Sequence, residues 1–96
     1  MNVNIQAIHF EIADRLVEFV NKKCDRLARR YPLISDIDVN LRVVKPETAM
    51  NKEAVVKALA PQEEVVATKV ADSFEEAVDL ALEAIERQLE KNKDKK

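Results

Sequence analysis

The longest segment whose pattern fits a single regular structure is residues 73–96, SFEEAVDLALEAIERQLEKNKDKK. Its apolar residues recur at steps of three and four, the spacing of one buried face of an α-helix. Ser73 can cap the start of this helix, and Glu76 completes a capping box. Acidic residues come first and basic residues last, the order that complements the helix dipole. The predicted buried face comprises Phe74, Ala77, Val78, Ala81, Leu82, Ile85 and Leu89.

After Leu89 the apolar face stops, but the chain keeps adding lysines. Residues 91–96 carry four basic side chains and one acidic side chain. A chain of 96 residues with this apolar content is long enough for one small core. We therefore expect one domain spanning residues 1–96, with residues 91–96 as a basic tail that does not pack.

The rest of the chain predicts one more helix and four strands. A helix over residues 13–30 has one apolar stripe, and Pro32 prevents its continuation. The predicted strands cover residues 2–8, 36–45, 53–60 and 63–71. The first two alternate apolar and polar residues, whereas the last two are alanine-rich and only partly alternating, so a helix is the alternative interpretation there. The order β-α-β-β-β-α predicts an α+β fold with a mostly antiparallel four-stranded sheet. Both helices have a single apolar stripe, so we expect both on one face of that sheet and the other face exposed.

Composition excludes several classes of site. The chain contains no glycine, which excludes the P-loop and the dinucleotide-binding fingerprint. Its one cysteine, Cys24, excludes an internal disulfide and a multi-thiolate zinc site, and is expected to be a small buried hydrophobe. The one histidine, His9, has no nucleophile or orienting partner nearby in sequence. Asp36 and Asp38 supply too few ligands for calcium or magnesium. We expect no enzyme activity, cofactor or metal.

The sequence shows neither of two common targeting features, a membrane-spanning segment and a signal peptide. No run of 18 apolar residues is present, and the first ten residues lack the basic start and apolar centre of a signal peptide. The expected location is the cytoplasm.

Charge is unevenly distributed along the chain. The net charge is −2, yet residues 13–30 carry six basic and three acidic side chains. Arg15, Lys22, Arg26 and Arg29 share the side of this helix opposite its apolar stripe, with Lys23 and Arg30 on the adjoining flank. If the two helices pack side by side, this stripe and the end of the last helix form a positive surface. Such a surface is typical of contact with a phosphate backbone.

Three segments resemble a known bacterial family. The opening Met1-Asn2-Val3-Asn4-Ile5 is similar to its first strand. The run from Glu18-Phe19-Val20 to Tyr31 is similar to its first helix, except that Ala13 replaces a capping threonine. Ala77-Val78-Asp79, Glu86-Arg87-Gln88-Leu89 and Lys91-Asn92-Lys93 match its last helix. The chain resembles the short ribosome hibernation promoting factors and ribosome-associated inhibitors, a group also called the sigma-54 modulation protein family. The short class is indicated because no sequence follows Lys96.

The resemblance implies that the protein occupies the decoding region of the small ribosomal subunit, where tRNA and mRNA bind, in starved or stationary-phase cells. It implies partners in ribosomal RNA and neighbouring ribosomal proteins, with no membrane and no small-molecule substrate. Positions that match RNA-contacting residues of the family are Lys23, Arg26, Arg29, Arg87 and Lys91. The charge pattern adds Lys22, Arg30, Lys93, Lys95 and Lys96 to the expected RNA-binding set. Such cations neutralise phosphates and position the protein without reading base sequence.

A second hypothesis uses other surfaces of the same fold. The exposed sheet face or an edge strand binds a protein partner, and the lysine tail only aids solubility. Salt distinguishes the two hypotheses, because phosphate contacts weaken steeply with salt and strand pairing does not.

Overall fold

The computed structural model describes residues 2–45, 50–61 and 63–93, with side chains as far as Lys91. Its elements follow the predicted order β-α-β-β-β-α. They are β1 (Asn2–Ile8), α1 (Asp14–Arg30), β2 (Asp36–Val43), β3 (Lys52–Ala60), β4 (Glu63–Ala71) and α2 (Phe74–Lys93).

The four strands form one sheet in the order β1-β2-β3-β4. β1 and β2 are parallel, since α1 crosses over between them, and they place Asn4 opposite Asp38. β2 pairs antiparallel with β3, and β3 pairs antiparallel with β4. The sheet is mixed with mostly antiparallel pairs, which confirms the prediction.

The core lies between the sheet and the two helices. Ile37, Val39 and Leu41 alternate along β2 and are fully buried, as β-strand periodicity requires. The seven residues of the predicted apolar face of α2 are all buried in the same cluster. α1 contributes Leu16, Val20, Cys24 and Leu27 to it. Both helices therefore lie on one face of the sheet, as their single apolar stripes predict.

The two helices begin differently. The Ser73 hydroxyl accepts a hydrogen bond from the backbone N–H of Glu76 at 3.1 Å, which confirms Ser73 as the cap of α2. α1 begins after Ala13, which has the extended backbone of an N-cap but no side-chain cap hydrogen bond. An alanine methyl cannot accept a hydrogen bond, so one N–H group at this helix start lacks the usual side-chain partner.

The predicted strand over residues 36–45 is two residues too long. β2 ends at Val43, and Lys45 has a positive φ of 48°, which is incompatible with an extended strand. The backbone N–H of Val44 still donates to the carbonyl oxygen of Asn51 at 2.7 Å, so the chain turns back into β3 here. Residues 46–49 lie outside the described residues, as do residues 94–96 of the basic tail.

Candidate nucleic-acid interface

Two ion pairs join the helices and show their relative direction. The ammonium group of Lys23 lies 3.1 Å from the Asp79 carboxylate, and the Arg30 guanidinium lies 2.8 Å from the Glu86 carboxylate. The second pair is seven residues after the first on both helices, which is about two turns. α1 and α2 are therefore parallel neighbours, and their C-terminal ends lie at the same end of the molecule.

This parallel arrangement brings the predicted basic segments together. Five cations in the C-terminal halves of the helices are exposed and form no ion pair with any residue that the structure describes. Because none of them is tied to a carboxylate in the described part of the chain, their charges are available to a polyanion. We call this set the basic cluster: Lys22, Arg26 and Arg29 of α1 with Arg87 and Lys91 of α2.

The other predicted RNA-binding residues are placed differently. Lys23 and Arg30 point towards α2 and take part in the ion pairs. Lys23 is also held over the Phe19 ring, 5.4 Å from its centroid, in a cation–π contact. Lys93 lies in the last turn of α2, but its side chain is outside the described part of the structure, and so are residues 95 and 96.

Carboxylates of α2 line the boundary between the helices, a feature the sequence analysis missed. Asp79 and Glu86 contact residues of α1, Glu90 contacts Tyr31 directly after α1, and we call these three carboxylates the acidic seam. A signal for it was present in the sequence: Asp79, Glu83, Glu86 and Glu90 follow at steps of four, three and four, which makes an acidic stripe on one helix flank. The partners on α1 are not deducible from spacing, because they come from a segment distant in sequence.

Tyr31 closes the seam at the C-terminal end of α1. Its hydroxyl donates a hydrogen bond to the Glu90 carboxylate. Partial burial, the hydrogen bond to Glu90 and the nearby negative charges of Glu90 and Glu86 raise the pKa of Tyr31 to about 12. The phenol is therefore neutral throughout the physiological pH range and fixes the ends of the two helices to each other.

The residues considered above for catalysis or metal binding lie in separate parts of the fold. Cys24 is fully buried, and desolvation, followed by the charge of Asp25, raises the pKa of its thiol to about 12. His9 lies exposed in the connection between β1 and α1. Asp38 accepts a hydrogen bond from the Asn4 side-chain amide at 2.9 Å. Among the described residues, no three His, Cys, Asp or Glu side chains lie together as a metal site would require.

The open face of the sheet is polar along β1 and β2. A shallow hollow of about 500 Å³ lies there, lined by Asn4, Ile5, Gln6, Asp38, Asn40 and Lys57. Further across, the Val66 side chain is 43 % exposed on β4. Among the residues that the structure describes, this face combines amides, both signs of charge and scattered aliphatic groups, and shows no cationic cluster like that of the helices.

The chain matches the family model of the sigma 54 modulation protein / S30EA ribosomal protein group over residues 3–96. The chain belongs to this family. The match confirms the resemblance seen in the sequence and covers every element described above except Asn2, the first residue of β1. Its members are ribosome hibernation and modulation proteins, so membership also confirms the prediction that the chain is not an enzyme.

Curated relatives carry the name of one class within the family. The chain is 30 % identical over 95 residues to the ribosome hibernation promoting factor of Azotobacter vinelandii, an alignment that covers 99 % of this chain and 85 % of the relative. It is equally identical, over 99 % of its length and 89 % of the relative, to the ribosome hibernation promoting factor of Pseudomonas putida KT2440.

Solved structures share the fold. A ribosomal subunit interface protein of Coxiella burnetii superposes with a TM-score of 0.87 at 24 % identity, over 98 % of this chain and 99 % of that one. The N-terminal domain of Thermus thermophilus Protein Y superposes with a TM-score of 0.79 at 23 % identity, covering 95 % and 98 % of the two chains. Separately, no helix in the described residues is both long and apolar enough to cross a membrane.

Proposed function

We propose that this protein binds the small ribosomal subunit in the cytoplasm and holds it out of translation during starvation or stationary phase. The observation that carries the proposal is the parallel pairing of α1 and α2, which gathers the basic cluster at one end of the helical layer. Membership of the sigma 54 modulation protein / S30EA ribosomal protein family supplies the ribosome as the partner.

The basic cluster suits contacts with ribosomal RNA phosphates. Three of its members are arginines: Arg26, Arg29 and Arg87. Each planar guanidinium group can donate two parallel hydrogen bonds to two oxygens of one phosphate. Lys22 of α1 and Lys91 of α2 each add one positive point charge. Lys23, Arg30 and the lysines at 93, 95 and 96 complete the proposed RNA-binding set. These contacts fix position on the RNA backbone, and the shape of the site supplies the selectivity.

The proposed place of binding is the decoding region, where mRNA and tRNA lie. A small α+β domain with a radius of gyration of 13.3 Å is of a size to block a nucleic-acid channel by occupying it. Inhibition then needs no chemical step, only an affinity that competes with tRNA and mRNA. The proposal therefore predicts competition rather than turnover.

A competition experiment tests the proposed place of binding. Purified small subunits are loaded with labelled mRNA and tRNA, and the protein is titrated in at constant ionic strength. We expect displacement of tRNA by the wild-type protein, and the same displacement by the variant Lys57→Glu, which reverses a cation on the open face of the sheet. Simultaneous binding of the protein and tRNA to one subunit would contradict occupation of the decoding region.

A further inference from the structure

The acidic seam lies where a phosphate backbone crossing from one helix to the other would pass. Glu86 points towards α1 and pairs with Arg30, while its neighbour Arg87 points outward in the basic cluster. The Glu86 side chain is 33 % exposed and that of Arg30 is 59 % exposed, so the pair is open to solvent and to a ligand. Asp79 stands in the same relation to Lys23 about two turns earlier.

Ion pairs this exposed contribute little to folding stability. Their contribution to holding the helices together is small compared with that of the apolar contacts in the core beneath, which include Leu16, Val20, Ala81 and Ile85. The carboxylates act more strongly on an approaching polyanion. A phosphate that binds Arg30 must first break the ion pair between Arg30 and Glu86, and it then remains close to the negative charge of Glu86. Like charges brought together in this way oppose binding.

We infer that the acidic seam, with Glu86 as its main member, is a specificity device that suppresses binding to RNA in general. This inference rests on the proposed function. RNA whose phosphates contact the basic cluster, and approach Lys23 and Arg30 from the side of α1 away from Asp79 and Glu86, meets little repulsion. An arbitrary duplex, whose phosphates follow each other at short regular intervals, brings one or more of them over Glu86 or Asp79. Selectivity then comes from a repulsive element beside the attractive cations.

The same ion pair permits a rival role, which predicts the opposite result. If Glu86 served to hold Arg30 in a phosphate-binding rotamer, then removing its charge would weaken RNA binding. If Glu86 repels RNA, removing its charge strengthens binding. The substitution Glu86→Gln keeps the shape and a hydrogen-bond acceptor for Arg30, so it isolates the effect of the charge.

A matched control exists on the other side of the molecule. Glu64 of β4 also forms an ion pair, 3.4 Å from Lys57, and its neighbour Val65 is buried against the helices, so Glu64 faces away from them. Glu64→Gln changes the net charge by the same amount and removes a similar ion pair. Comparing E86Q with E64Q therefore separates the effect of where the negative charge is lost from the effect of the change in net charge.

The experiment measures fluorescence anisotropy of a short labelled RNA duplex of arbitrary sequence, at one fixed low salt concentration, against wild type, E86Q and E64Q. We expect E86Q to bind the duplex more tightly than E64Q by up to about fivefold, the upper end of what one exposed charge interaction contributes. Affinity for isolated small subunits, measured in the same buffer, should change less. Thermal melting of each variant verifies that it is folded.

Each outcome decides one question. Tighter duplex binding by E86Q than by E64Q supports the acidic seam as a barrier to RNA. Equal binding by the two variants, weaker binding by E86Q, or no detectable gain with any variant overturns the inference. Wild-type protein that fails to bind small subunits overturns the proposed function instead, whatever the duplex measurement gives.

Discussion

The Tyr31 hydroxyl donates a hydrogen bond to Glu90, joining the C-terminal ends of two helices that are far apart in the sequence. The bond continues the line of contacts begun by the Lys23–Asp79 and Arg30–Glu86 ion pairs. These three contacts run along the boundary between the parallel helices, whose packing on the sheet sets the position of the basic cluster.

Tyr31 provides a direct optical test of this contact, because it is the only tyrosine and the chain has no tryptophan. We expect ultraviolet titration of the folded protein to give a phenol pKa of about 12, raised by partial burial, by the hydrogen bond and by nearby carboxylates. Glu90→Ala should lower this pKa towards the ordinary value. An unshifted wild-type pKa, with circular dichroism showing intact helices, would contradict the contact.

The sign of the pH dependence follows from the raised pKa. The unfolded phenol ionises near 10 and the folded one near 12, so the contribution of Tyr31 to stability is fully present below pH 10. It is lost as the pH rises through that interval. Thermal melts of Tyr31→Phe and wild type should accordingly converge above pH 10, after both are corrected for the general effect of alkaline pH.

Helix capping gives a second, independent test of the fold. Ala13→Ser supplies the oxygen that the start of α1 lacks, and should stabilise the protein by about 0.5–2 kcal/mol. Since Ala13 already has N-cap backbone angles, no rearrangement is needed. Ser73→Ala should destabilise by a similar amount, because it removes the bond to Glu76. Denaturant unfolding measures both, and a loss of stability in Ala13→Ser would place the start of α1 elsewhere.

Cys24 tests the core beneath α1. Its thiol is fully buried and its pKa is raised to about 12, so the reactive thiolate is scarce at neutral pH. We expect an aromatic disulfide reagent to modify the native protein only at the rate of unfolding, and the denatured protein at once. Cys24→Ser should destabilise by about 1–3 kcal/mol, since the hydroxyl is buried among apolar groups. Fast modification without denaturant would contradict this burial.

Periodicity in the sequence was sufficient to predict the fold. The seven apolar positions of α2 are all buried. Alternation along β2 predicted an inward row of Ile37, Val39, Leu41 and Val43; the first three are buried, but Val43 at the strand end is exposed. Boundaries were less accurate: β2 ends before Lys45, whose positive φ no apolar pattern reports. Without glycine in the chain, the usual sequence signal for such a turn was missing.

The candidate site was only partly predictable. Cation spacing identified the exposed side of α1, but it could not show that Lys23 and Arg30 face acids of α2. That pairing depends on the tertiary contact between two helices, which the intervening sheet determines. The tail lysines at 95 and 96 remain a prediction from charge alone.

The most direct test of the account is co-sedimentation of the purified protein with small ribosomal subunits on density gradients at low and high salt. We expect migration with the subunit at low salt, release at high salt, and loss of binding when Arg26, Arg87 and Lys91 are together changed to glutamate. Lys57→Glu, on the open face of the sheet, should retain binding. Salt-insensitive migration, or full binding by the triple variant, would contradict phosphate contact through the basic cluster.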